Sequence, residues 1–352
     1  MLKKQLEALI NQIKPINESF VSDVNDRWQH IAKPLGALGV MEELIARIGG
    51  IQNQLIPDIK KKCVAVMCAD NGVVCEGVTQ TGSDVTAVIA ANMLTKQTSV
   101  TLMAEVAHCD VRAYDVGMLK EIPGLENRKI RCGTADFYVE PAMSYEDAQE
   151  LILTGISIVR ELKEAGYQLI GAGEAGIGNT TTSSAIASVL LNAPVALVTG
   201  KGAGLSESGL ERKIEVIEAG IKMHNPNPKD PVDVISKVGG FDLAAMCGLF
   251  LGGAYYHVPI VIDGLISSVA ALCAYRMCAA ANGFMIPSHC SKEPAAMMIM
   301  QELSLKPVIM ANMALGEGTG AVTMMPLLDM ALSVYQNMPT FQDTNIEEYK
   351  PL

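Results

Sequence analysis

Short apolar segments rich in Val and Ile recur along the chain, separated by longer stretches with helical spacing. This alternation is typical of βαβ units, in which helices cover a parallel sheet. We predict strands at residues 63–69, 111–116, 168–172, 195–199, 259–262 and 307–310. The chain is therefore expected to have an α/β fold.

Glycine and polar residues follow these strands. They are Asp70-Asn71-Gly72, Gly117, Gly173-Glu174, Gly200-Lys201-Gly202, Asp263-Gly264 and, slightly later, Gly316-Glu317-Gly318. In open α/β sheets, ligands bind beyond the carboxyl ends of the strands, where glycines let the backbone approach them closely. We therefore expect a ligand site at that edge.

Charge and cysteine content exclude several classes of protein. The net charge of -11 opposes binding to nucleic acid. The nine cysteines form no C-x-x-C pair, and no Cys/His cluster has zinc-site spacing. We expect reduced thiols, no metal and no cofactor.

Residues 243–262 form a charge-free run of membrane-spanning length. The run contains paired glycines, a Tyr-Tyr-His sequence and Pro259, and no basic cluster flanks it, so a buried helix followed by a buried strand explains it better. Residues 1–14 predict an amphipathic helix and lack the unbroken apolar stretch of a signal peptide. We expect a cytoplasmic protein with no membrane segment.

Residues 171–183 (GAGEAGIGNTTTS) form the richest segment, because glycines follow an apolar strand and Asn179, Thr180 and Thr181 are candidate helix caps. Exposed N–H groups at the start of a helix bind phosphate, although an ordinary strand-to-helix turn is the plain alternative. The segment also matches G-x-G-x-x-G, a dinucleotide-binding motif. An NAD-dependent dehydrogenase is a distant alternative, because no acidic residue lies between Glu174 and Glu207.

The second glycine-rich segment, residues 314–321, places Glu317 between Gly316 and Gly318. Such an acid is usually solvated. A loop folded into the crevice would instead desolvate Glu317 and raise its pKa, which suits a general base. Lys201 and Lys213 are candidate phosphate partners, although lysines are more often surface charges.

Taken together, these segments resemble the nicotinate-nucleotide:dimethylbenzimidazole phosphoribosyltransferase family of cobalamin biosynthesis. The resemblance covers about residues 33–325. Its landmarks are Pro34-Leu35-Gly36-Ala37-Leu38-Gly39, Ala69-Asp70-Asn71-Gly72-Val73, Gly133-Thr134-Ala135, Pro141-Ala142-Met143, Gly173-Glu174-Ala175-Gly176-Ile177-Gly178-Asn179-Thr180-Thr181, Asp263-Gly264, Ser288-His289-Cys290-Ser291 and Leu315-Gly316-Glu317-Gly318-Thr319-Gly320.

The resemblance implies a doubly wound, Rossmann-like parallel sheet in residues 54–325, and a small helical domain made of residues 1–53 and 326–352. It implies transfer of the 5-phosphoribosyl group of nicotinate mononucleotide to a cobamide lower-ligand base, with Glu317 as general base and Glu174 in the same site. The implied phosphate and ribose residues are Gly176, Gly178, Asn179, Thr180, Lys213, Ser291, Gly316 and Gly318. A homodimer, or a heterodimer with a paralogous subunit, is also expected.

The chain departs from the family pattern at Asn71, Val88 and Ala314, where His, Gln and Arg are usual. We assign Val88 and Leu315 to the acceptor pocket. Val88 lacks an amide that could bond a benzimidazole nitrogen, so a phenolic acceptor such as phenol or p-cresol is an alternative to dimethylbenzimidazole. A catalytically weak paralogous subunit and a dead binding subunit also remain open.

Overall fold

The computed structural model describes residues 1–349 and contains a parallel sheet. Within that range the sheet has six strands in the order β3-β2-β1-β4-β5-β6. They are β1 (Lys62–Ala69), β2 (Asp110–Gly117), β3 (Glu126–Asn127), β4 (Leu169–Ala175), β5 (Ile260–Val261) and β6 (Met285–Ile286). The order reverses direction at β1 and β4, as in a doubly wound sheet, so the predicted fold class is confirmed.

The helices connect and cover these strands. They are α1 (Leu2–Ile10), α2 (Glu18–His30), α3 (Val40–Gln52), α4 (Asp84–Leu94), α5 (Ser99–Val106), α6 (Tyr145–Glu164), α7 (Asn179–Leu191), α8 (Val195–Val198), α9 (Glu207–His224), α10 (Pro231–Val238), α11 (Phe241–Tyr256), α12 (Leu265–Met277), α13 (Ala295–Glu302), α14 (Thr319–Asn337) and α15 (Phe341–Thr344). Short 3-10 helices span Gly72–Glu76 and Ala279–Phe284.

Strand β4 is the centre of the core and has glycines where α14 packs against it. A Cβ added to Gly171 would lie 2.9 Å from the Cβ of Ala321 in α14, and one added to Gly173 would lie 2.7 Å from the carbonyl oxygen of Glu317. Side chains alternate across a strand, so Glu174 faces the other way. These glycines therefore let the segment that carries Glu317 lie directly on the sheet.

Two predicted strands are wrong. Residues 195–199 contain the short helix α8, which Pro194 precedes. Residues 307–310 form no strand, and only Ile309 makes an isolated parallel bridge to His289. Short apolar runs do not distinguish strand from helix. The two-residue strands β3 and β6 were not predicted, because two residues carry no readable periodicity.

The first and last helical segments contact each other. The rings of Trp28 and Tyr335 lie 4.8 Å apart, and Ile31 forms an antiparallel bridge with Thr340. These contacts join α2 to the C-terminal helices, whereas α1 packs against α6 and α11, so the small helical domain stays a prediction. The proposed boundary after residue 325 falls inside α14, however, so it coincides with no break in the chain. Residues 350–352 of that domain lie outside the described residues.

The charge-free run of residues 243–262 forms most of α11 and then β5, as predicted. Helix α11 is buried from Phe241 to Ala254 and packs against α6 and the sheet. Among residues 1–349, none of the helices has both the length and the apolar character needed to cross a membrane.

Candidate active site

A cavity opens at the carboxyl ends of β4 and β5. Its wall combines glycine-rich backbone, acidic side chains and apolar side chains. The lining residues include Glu174, Gly176, Gly178, Asn179, Thr180, Asp263, His289, Ser291, Glu293, Leu315, Gly316 and Glu317, with Val78, Ile89, Leu265 and Ile266 as apolar members. The cavity therefore lies at the edge of the sheet where the sequence predicts a ligand site.

The loop between β4 and α7 forms one end of this cavity. Gly178 caps α7 with a φ of 93°, a left-handed conformation that glycine adopts without strain. A side chain at Gly176 would come within 2.7 Å of the carbonyl oxygen of Ala69. Glycine at residue 176 thus lets the loop pack against the end of β1. The N–H groups of Asn179 and Thr181 donate to the carbonyl oxygens of Gly176 and Gly178, whereas those of Gly178 and Thr180 have no acceptor among the described residues and can bind an anion.

The predicted side-chain caps of α7 are wrong, because Gly178 is the N-cap and no side chain caps the helix. Asn179 instead donates from Nδ2 to two carboxylates, Glu174 and Asp242. Thr180 accepts a hydrogen bond from Lys213. Both side chains therefore form hydrogen bonds with charged groups beneath the loop.

Lys213 lies directly behind this loop. Its side chain is fully buried, and Nζ donates to Thr180 Oγ1 at 2.8 Å and to the carbonyl oxygen of Gly200 at 3.2 Å. Burial lowers the pKa of Lys213 to about 8. An ammonium group has three donors, so Lys213 has one N–H that these two hydrogen bonds do not use, and it lies behind the cavity wall.

Glu317 lines the same cavity. Its φ of 61° is unusual for a residue with a side chain. Its Oε2 accepts a hydrogen bond of 3.2 Å from the Val100 N–H at the start of α5. Burial raises the pKa of Glu317, while the Val100 N–H opposes that rise. The result is a partly desolvated carboxylate beside the glycine-rich loop, as the sequence predicts.

Glu174 and Asp242 form a buried acidic pair bridged by the amide of Asn179. Nδ2 of Asn179 lies 3.0 Å from Asp242 Oδ2 and also donates to Glu174 Oε2. Burial raises the pKa of Glu174 to about 8, and the charges of Asp242, Asp263 and Glu317 contribute to that rise. The pKa of Asp242 is about 6, again because of burial. At neutral pH, Glu174 is therefore largely protonated.

Asp263 fixes the start of α14. Its carboxylate accepts hydrogen bonds from the Gly318 N–H at 3.1 Å and the Gly320 N–H at 2.6 Å. His289 Nε2 lies 3.9 Å from Asp263 Oδ1. Because Gly318 follows Glu317 directly, Asp263 anchors the turn that places Glu317 in the cavity.

Most of the predicted site residues meet around this one cavity. Lys213 and Gly318 lie just behind its wall. Val88 is not brought to the wall. It is 54% exposed on the outer face of α4, and its neighbour Ile89 lines the cavity instead.

Sequence reasoning missed Asp242 and Glu293. Asp242 had a readable signal, since it is the single charged residue in the otherwise apolar residues 241–256. A lone charge in a buried helix is rare unless it is paired. Glu293 carried no comparable signal.

Comparison with known proteins agrees with this geometry. A family model described as DBI_PRT, Phosphoribosyltransferase, matches residues 13–346. The nicotinate-nucleotide–dimethylbenzimidazole phosphoribosyltransferase of Ruminiclostridium cellulolyticum is 45% identical over 348 residues, which cover 98% of this chain and 99% of that protein. The protein of the same name from Clostridium acetobutylicum is 43% identical over 349 residues, covering 99% of each chain.

Solved structures show the same fold. The crystal structure of CobT from Thermus thermophilus matches with a TM-score of 0.89 and 35% identity, covering 94% of this chain and all of that one. The predicted family is therefore confirmed. This chain is a phosphoribosyltransferase that belongs to the nicotinate-nucleotide–dimethylbenzimidazole phosphoribosyltransferase family.

Proposed function

We propose that this chain transfers the 5-phosphoribosyl group of nicotinate mononucleotide to a cobamide lower-ligand base, giving an α-ribotide and nicotinate. One observation carries the proposal. A single cavity is lined both by a phosphate-type loop, which a buried lysine backs, and by a partly desolvated carboxylate, Glu317. A nucleotide bound by its phosphate at the loop would direct its ribose towards Glu317.

The proposed phosphate contacts are the N–H groups at the start of α7 and the ammonium of Lys213. The helix end carries a partial positive charge, and Lys213 adds a full one. Ser291, which lines the same cavity, can donate its hydroxyl. These groups would hold the substrate equally before and during the reaction, so they contribute binding and alignment.

Glu317 is the proposed general base. As the acceptor forms its bond to C1′, the acceptor's N–H or O–H proton passes to the Glu317 carboxylate. The C1′–N bond of nicotinate breaks, and its electron pair remains on the ring nitrogen, so the leaving group needs no proton. General-base catalysis contributes roughly 10²–10⁴-fold. A raised pKa makes Glu317 a stronger base than an ordinary glutamate.

The protonation of Glu174 supports the choice of Glu317 as the base. A protonated Glu174 adds no negative charge beside Glu317, so Glu317 is the carboxylate that can ionise near neutral pH. We assign Glu174 a position in the same site, where its proton can be donated to substrate oxygen or nitrogen atoms.

Dimethylbenzimidazole is the first proposed acceptor, because the relatives at 45% and 43% identity carry it in their names. The apolar side chains Val78, Ile89, Leu265, Ile266 and Leu315 suit a flat aromatic ring. Phenol and p-cresol are the second candidates. They were suggested by the lack of an amide at Val88, but Val88 is exposed and lies off the cavity wall, so it gives them no preference over dimethylbenzimidazole.

The test is to incubate the purified protein with nicotinate mononucleotide and each of dimethylbenzimidazole, adenine, phenol and p-cresol. Nicotinate release and ribotide formation are followed by mass spectrometry. Ribotide with dimethylbenzimidazole is the expected product. If phenol is not a better substrate than dimethylbenzimidazole, the phenolic assignment is wrong. If no acceptor gives a ribotide, the proposed activity of this chain alone is contradicted.

We also propose that the protein works as a dimer, either with itself or with a paralogous subunit. Large apolar side chains are exposed on and near α4 and α5, at Val88, Leu94, Leu102, Val106 and Leu119. Contiguous exposed apolar surface commonly marks an interface. If the chain pairs with itself, light scattering on the purified chain should give twice its mass of 37.5 kDa. A monomer with full activity would contradict the proposal.

A further inference from the structure

Glu293 is a buried acid with no role so far. It is 8% exposed and lines the cavity, and its Oε2 has no hydrogen-bond partner among the described residues. A buried carboxylate oxygen without a partner is costly and calls for an explanation. The backbone N–H of Glu293 donates to Ser291 Oγ at 3.4 Å, so it belongs to the same short segment as Ser291.

Glu293 and Lys213 meet at the same backbone residue, Gly200. Lys213 Nζ donates to the carbonyl oxygen of Gly200 at 3.2 Å, and any side chain at Gly200 would collide with Oε2 of Glu293. Glycine at residue 200 thus lets the carboxylate lie against the peptide that Lys213 binds. The two charges are close without forming a direct ion pair.

Lys213 needs such a charge because its own partners are neutral. A hydroxyl and a carbonyl hold a fully buried ammonium that water does not solvate. Glu293 opposes the effect of burial on the lysine's pKa. Of the acids that line the cavity, Glu293 is the one whose charge raises the pKa of Lys213. Among the charged chain neighbours of these two residues, Lys292 is exposed, Arg212 pairs with Glu215 and Lys201 pairs with Glu207.

We propose that Glu293 is a positioning residue that keeps Lys213 protonated at neutral pH, so that an ammonium group remains behind the phosphate-binding loop. This inference deepens the proposed function and rests on it for the identity of the ligand. Glu293 acts through Lys213 and does not itself contact the phosphate, because a carboxylate would repel it.

Nucleotide binding should weaken as pH rises and Lys213 loses its proton. Removing the charge of Glu293 should shift this loss of binding to a lower pH. Lys213 has a pKa of about 8. If Glu293→Gln lowers that pKa by about one unit, the ratio of wild-type to variant affinity for nicotinate mononucleotide should be about fivefold larger at about pH 8 than at about pH 6. Titration of the phosphate itself, at about pH 6, is the same in every variant and cancels in the ratio.

Calorimetric binding of nicotinate mononucleotide measures this ratio. Glu215→Gln is the matched control, since it removes an acid from the exposed side of the helix that carries Lys213 and should change neither value. In a Lys213→Arg background, Glu293→Gln should have no pH-dependent effect, because arginine stays protonated. Equal weakening at both pH values, or the same pH-dependent loss in the Lys213→Arg background, would overturn the proposal.

A ligand-free measurement separates this proposal from the proposed function. The Cε chemical shift of Lys213, followed by NMR between about pH 6 and pH 10, reports its pKa directly. Glu293→Gln should lower the midpoint by about half a unit or more, whereas an unchanged midpoint refutes the role of Glu293. If wild-type protein binds no nicotinate mononucleotide but the midpoint shifts, the proposed substrate is wrong and the assigned charge coupling holds.

If Glu293→Gln does not fold, Lys213→Arg alone should abolish the loss of nucleotide binding above about pH 8, and persistence of that loss would overturn the proposal.

Discussion

Replacing Glu174 by glutamine should change how the stability of the protein depends on pH. Burial raises the pKa of Glu174 from 4.5 to about 8. Between these values the folded protein holds a proton that the unfolded chain releases, so the free energy of unfolding falls as pH rises. Each pH unit costs about 1.4 kcal/mol, and the whole window about 4 to 5 kcal/mol. The glutamine side chain cannot ionise and still accepts the Asn179 hydrogen bond, so the Glu174→Gln variant lacks this loss.

Urea unfolding followed by circular dichroism at about pH 5, 6, 7 and 8 gives the free energies for both proteins. The stability of Glu174→Gln relative to wild type should rise by about 1.4 kcal/mol per pH unit across this range. Other titrating groups are common to both proteins and largely cancel in the difference. Glu215→Gln, with a 65% exposed side chain, should show no such slope. Parallel curves for wild type and Glu174→Gln would mean that Glu174 is ionised in the folded protein, and would refute its assignment as the protonated acid.

Two further predictions concern substrate binding. Lys213→Met removes the charge and keeps the side-chain length. It should raise the KM for nicotinate mononucleotide about 10- to 100-fold with little change in kcat, because a phosphate contact is shared by ground and transition states. Steady-state kinetics measure both constants, and a loss confined to kcat would contradict the role of Lys213 in phosphate binding. Ile89→Ala should raise the KM for the acceptor several-fold and leave the KM for nicotinate mononucleotide unchanged, since Ile89 is one of the apolar residues that line the cavity. Equal effects on the two KM values would show that Ile89 does not contact the acceptor ring.

The long strands and the glycine-rich segments were readable from the sequence because their signals are local. Strand β1 and the loop before Asn179 are examples, and the position of Glu317 between two glycines identified it as a candidate. Strands β3 and β6 were not predicted, because each is two residues long and is defined by its pairing with a strand elsewhere in the chain. Local propensity does not reveal such tertiary pairing.

The hydrogen-bond partners of the site residues could not be predicted from the sequence. Asp242 is bound to Asn179 across 63 residues of chain, and Glu317 is bound to the Val100 N–H across 217 residues. Residues far apart in the chain meet only through the sheet order, which spacing does not encode. The protonation of Glu174 depends on these distant neighbours, so its role needed the structure.

The central claim is that Glu317 removes the acceptor proton, and Glu317→Gln tests it most directly. The variant keeps the shape and the Val100 hydrogen bond but cannot accept the proton as a carboxylate does. We expect ribotide formation with dimethylbenzimidazole to fall by about 10²-fold or more, while calorimetry shows nicotinate mononucleotide binding within about twofold of wild type. Undiminished turnover by Glu317→Gln would contradict the assignment of Glu317 as the general base.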